Sequence, residues 1–101
     1  MSKNREKTEK ALIDLKVKIL ATTREQLKNE REYVNVLQLQ INDLRKQFYE
    51  GPINGETYDE LQLAIYQLDS DIISAQAQAA KTQIRIDSLY YEIKTLRERE
   101  G

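Results

Sequence analysis

With 101 residues, a third of them charged, a net charge of -1 and 40% hydrophobic content, the chain has room for one small domain. It lacks the surplus charge that marks a dedicated nucleic-acid or membrane binder. Cysteine, histidine and tryptophan are absent, which excludes disulfides, thiol nucleophiles, imidazole bases and nitrogen or sulfur metal ligands.

The near-neutral total hides an asymmetry. Residues 1–50 hold 11 Lys and Arg against 8 Asp and Glu, net +3, and residues 51–101 hold 5 against 9, net -4. Two such halves lying side by side attract each other. The most apolar stretch, Ala11 to Ala21, is interrupted by Asp14, Lys16 and Lys18, so neither a secretory leader core nor a membrane-spanning helix is expected. A cytoplasmic location, in a cell or a virus-infected cell, is the corresponding expectation.

Residues 1 to about 9 are polar and mixed in charge, as at a frayed helix end. From about residue 8 to 49 the pattern predicts one continuous helix. Ile13, Leu20, Leu27, Val34, Ile41 and Phe48 recur every seven residues, and no Gly or Pro interrupts residues 1–50. Leu15-Lys16-Val17-Lys18-Ile19 and Val34-Asn35-Val36 alternate as a strand would. The seven-residue spacing runs through both pieces, so helix is the expected state.

Near the midpoint, Glu50-Gly51-Pro52-Ile53-Asn54-Gly55 holds the only proline and two of the three glycines. Proline has no amide proton and disfavours helical geometry in the residue before it, while glycine opens left-handed backbone angles, so the first helix is expected to stop here. Asn54 is placed to cap a second helix, with Ile53 and Tyr58 as a hydrophobic staple across the cap. Thr57-Tyr58-Asp59-Glu60 spells a capping box and offers a start three residues later.

The second helix is predicted over about residues 55–98. Tyr58, Leu61, Ile65, Leu68, Ile72, Ala75, Ala79, Thr82, Ile86, Leu89, Ile93 and Leu96 follow alternating steps of three and four, the a/d pattern of a coiled coil. Folding the chain at the bend matches the two seams layer by layer. Phe48 meets Tyr58, Leu44 meets Leu61, Ile41 meets Ile65, Leu37 meets Leu68, Val34 meets Ile72, Ile13 meets Ile93, and Thr23 meets Thr82 so that polar faces polar. Glu30 and Lys16 also fall in the seam, where their stems can pack while their heads reach outward. The fold class is therefore all-α: a long antiparallel two-helix hairpin forming a single domain over 1–101.

A second apolar row, Leu63, Tyr66, Ile73, Ile84 and Tyr91, with Ala77 and Ala80, falls at b and f positions on the side of helix 2 away from the seam. Helix 1 carries its own flank in Leu12, Leu15, Ile19, Tyr33 and Val36. Rows of this extent mark interfaces. Two hairpins packed as a four-helix bundle are the simplest way to cover them, so a homodimer and a further protein partner are expected.

No residue set for chemistry emerges. Asp69 and Asp71 diverge on a helix, and Asp59 and Glu60 suit the positive end of the helix dipole. The glycines lack the Gly-Lys-Ser/Thr continuation of a phosphate-binding loop. No catalytic residue, metal ligand or cofactor is assigned. Arg24, Lys28 and Arg31 form a basic stripe at helical spacing, diluted by Glu25, Glu30 and Glu32.

The bend, Tyr49-x-Gly51-x-Ile53-x-x-x-x-Tyr58-x-x-Leu61, resembles the hairpin bend in the coiled-coil arms of large serine recombinases and in small phage-type helical proteins. It spans about thirteen residues and follows from capping and staple physics, so no function is carried over. The sequence points to a non-enzymatic protein–protein interaction module, an adaptor, assembly factor or inhibitor. It would present Leu63, Tyr66, Ile73, Ile84 and Tyr91, or the tip residues Tyr49, Pro52 and Ile53. The alternatives are a small nucleic-acid-binding bundle using Arg24, Lys28 and Arg31, and a scaffolding subunit of a larger, phage-type assembly.

Overall fold

A computed structural model describes residues 2–51 and 54–100, with the side chains of Ser2 and Glu100 left aside. It contains two helices, α1 over Ser2–Glu50 and α2 over Gly55–Glu100, and no strand among the described residues. The alternating stretches at 15–19 and 34–36 are helical, as their seven-residue spacing requires. The helix at the amino terminus begins at Ser2, earlier than the polar composition suggests. Thr8 Oγ1 donates to the Asn4 carbonyl at 2.8 Å and Arg5 pairs with Glu9 at 3.5 Å, so local bonds support the first turns.

At the bend, the Gly51 amide still donates to the Gln47 carbonyl at 3.2 Å, an ordinary helical bond. α1 ends at Glu50, immediately before Gly51-Pro52, where the sequence places its stop. A proline at position 52 suits such a stop, since proline has no amide to donate and disfavours helical geometry in the residue before it. Asn54 is the cap of α2. Its side-chain Oδ1 accepts from the Thr57 amide at 2.8 Å and its carbonyl accepts from the Tyr58 amide at 2.9 Å. The earlier of the two predicted starts is the one used. Tyr58 packs on Phe48, ring centroids 4.7 Å apart, which ties the two helices together beside the bend. Pro52 and Ile53, and with them the expected staple, lie outside the described residues.

The hairpin divides into two compact units, Met1–Lys28 with Ala80–Gly101 and Asn29–Ala79. In the second, Leu37, Ile41 and Ile72 form a buried cluster against which Ile65, Leu68 and Ala75 pack. Arg45 and Asp69 approach to 4.0 Å across the helices. In the first, Ile13, Leu20 and Leu27 of α1 and Ile86, Leu89, Ile93 and Leu96 of α2 are buried. The antiparallel sense is visible there: Lys16 meets Glu92, while Lys3, Lys7 and Lys10 line a surface hollow with Arg99.

Every buried residue among those described occupies an a or d position of the predicted seam. Thr23 and Thr82 are both buried, and the Thr23 hydroxyl donates to the Ile19 carbonyl at 2.7 Å, so its polarity is satisfied within its own helix. Lys16 lays its stem in the seam and its Nζ reaches Glu92 Oε2 at 2.8 Å. Among the described residues, no helix is long and apolar enough to cross a membrane.

Candidate interaction surface

The seam fixes which way every other side chain points. Because α2 turns about 100° per residue, Ile72 and Ile73 fall on different sides of it. Ile72 is 7% exposed within the core cluster and its neighbour Ile73 is 63% exposed. Leu63 and Tyr66, in the same unit as Ile73, are exposed to a similar degree. Ile84 and Tyr91, in the other unit, are also exposed, Tyr91 at 72%. All five predicted outer residues thus stand in solvent.

The exposed set is wider than that row. On α1, Leu12, Leu15, Tyr33 and Val36 are exposed as expected, whereas Ile19 is half-buried. Val17, Leu39 and Tyr90 are exposed too and lie outside both predicted rows; Val17 and Leu39 each stand between polar neighbours, while Tyr90 lies between the seam residue Leu89 and the outer residue Tyr91. Tyr49, the described member of the tip trio, is 79% exposed, with its ring edge-on to Phe48 at 5.3 Å.

Two shallow hollows lie beside the seam. In the Asn29–Ala79 unit one is lined by Glu30, Tyr33, Asp71, Ser74, Ala75 and Gln78. In the other unit, Leu12, Tyr91 and Leu96 line a groove together with Lys16, Glu92, Thr95 and Arg99. The Lys16–Glu92 pair sits in this groove, so its local charge is largely neutralised apart from Arg99.

The basic residues Arg24, Lys28 and Arg31 are all exposed. Arg24 and Lys28 belong to one unit and Arg31 to the other. Among the described residues no three His, Cys, Asp or Glu side chains come together as a metal-ion cluster would. No protein-family model, curated protein or solved structure matches the chain.

Proposed function

We propose that the chain is a non-enzymatic protein–protein interaction module whose outer apolar residues on α2, Leu63, Tyr66, Ile73, Ile84 and Tyr91, engage protein surfaces, a second copy of the chain among them. One observation carries the reading. These five large side chains are all exposed while the seam residues of the same helix are buried, so they serve no purpose in the hairpin's own core. Burying apolar area stabilises by about 25 cal/mol per Å². Tyr66 and Tyr91 are of a residue type that the centres of protein interfaces favour, and Leu63, Ile73 and Ile84 add apolar area beside them.

The test compares affinity capture by the parent chain and by Ile73→Asp from host extract, with a differently tagged copy of the chain included. Ile73→Asp is expected to keep the parent's far-ultraviolet circular dichroism and to lose the proteins, or the tagged copy, that the parent retains. Equal retention by both would contradict the proposal.

A further inference from the structure

We infer that two copies associate in opposite sense, the acidic unit of each seated on the basic unit of the other; this rests on the outer residues serving self-association. The folded units sort charge more sharply than the sequence halves do. The Met1–Lys28 and Ala80–Gly101 unit holds 13 Lys and Arg against 8 Asp and Glu, net +5. The Asn29–Ala79 unit holds 3 against 9, net -6. A same-sense dimer sets like charge on like, whereas an opposite-sense dimer sets +5 against -6. In a two-fold dimer, one such contact implies its reciprocal, so a single arrangement satisfies both units of both chains.

The apolar surfaces follow the same division. Residues 54–79 carry five Asp and Glu and no Lys or Arg, and this stretch presents Leu63, Tyr66 and Ile73 to solvent. Asp59, Tyr66 and Ile73 recur at seven-residue spacing on one face, and Asp69 lies within one turn of both Tyr66 and Ile73. The basic unit offers the groove lined by Leu12, Tyr91 and Leu96, with exposed Leu15 on the same helix as Leu12. Arg99 lines that groove, and Arg85 stands two heptads before it on the same face of α2, with Glu92, paired to Lys16, midway between them. An acidic apolar ridge therefore meets an apolar groove whose charge, beyond the internal Lys16–Glu92 pair, is that of Arg99, within a unit of net +5.

The experiment is a charge swap with rescue, followed by sedimentation equilibrium of the purified full chain. One variant is Asp59→Lys/Asp69→Lys and the other Arg85→Glu/Arg99→Glu. The parent is expected to form a closed dimer that weakens as salt rises. Each variant alone is expected to dimerise at least about tenfold more weakly, and an equimolar mixture to recover the parent's affinity to within about threefold, because both contacts are again between opposite charges. A mixture no tighter than the separate variants overturns the opposite-sense arrangement, and mass that keeps growing with concentration overturns the closed dimer. A parent that stays monomeric overturns self-association itself, while leaving the capture test to decide whether a different protein occupies the outer residues.

Discussion

Ile72→Asp is expected to lower the melting temperature of dilute protein by at least about 8 °C, and Ile73→Asp by less than about 4 °C. The two residues are chain neighbours with the same side chain, so propensity and length are held constant between them. Ile72 is packed with Leu37 and Ile41. Truncating a buried isoleucine costs about 2–5 kcal/mol, and a carboxylate in its place adds the cost of an unpaired charge in an apolar setting. At position 73 the carboxylate stays in water and the remaining cost is the poorer helix propensity of aspartate, on the order of 0.5 kcal/mol. Thermal melts below the association concentration check this. Matching melting temperatures for the two variants would mean that the seam is assigned to the wrong face.

Inserting a single alanine between Gln38 and Leu39 is expected to destabilise the chain about as much as Ile72→Asp does. Both residues are exposed, so Gln38→Ala is a near-neutral control for composition. The insertion turns everything that follows in α1 by about 100°, carrying Ile41, Leu44 and Phe48 away from the partner helix. A fully buried side chain of this kind contributes about 1.5–3 kcal/mol; Ile41 is buried and Leu44 and Phe48 are half-buried, so the loss is on the order of 4 kcal/mol. An extra residue can otherwise be absorbed only as a bulged turn with poorer hydrogen bonding. Denaturant melts should show a lower midpoint and a broader transition. A midpoint equal to that of Gln38→Ala would show that heptad phase does not hold the helices together.

The seam was legible in the sequence because alternating steps of three and four arise from one physical cause, a narrow stripe kept facing a partner helix. Ile41, Ile72, Ile86 and Ile93 are buried for that reason, and Leu63 and Tyr66 are exposed for the complementary one. Asn54 was legible as a cap because its short side chain can reach the amide three residues on. What the pattern could not supply depends on pairs distant along the chain. The Lys16–Glu92 bridge joins residues 76 positions apart, and nothing local to either announces the other.

Charge sorting has the same character. Counting by halves of the sequence gives +3 and -4, and counting by folded units gives +5 and -6, because the unit containing both termini gathers basic residues from the two ends. The end of α1 was legible too, because Gly51-Pro52 follows Glu50 and a proline disfavours helical geometry in the residue before it. The outer residues were visible as a row, yet exposure alone names a surface and not its occupant.

The most direct measurement is an intramolecular distance between spin labels at Lys10→Cys and Lys94→Cys, with unlabelled chain in excess to suppress signals between molecules. The chain contains no cysteine, and both lysines are exposed, so the labels are unique and perturb little. Packed helices have axes about 8–10 Å apart, so a narrow distribution below about 3 nm is predicted. A distribution centred beyond about 8 nm, approaching the roughly 13 nm of one uninterrupted helix across those residues, would contradict the hairpin.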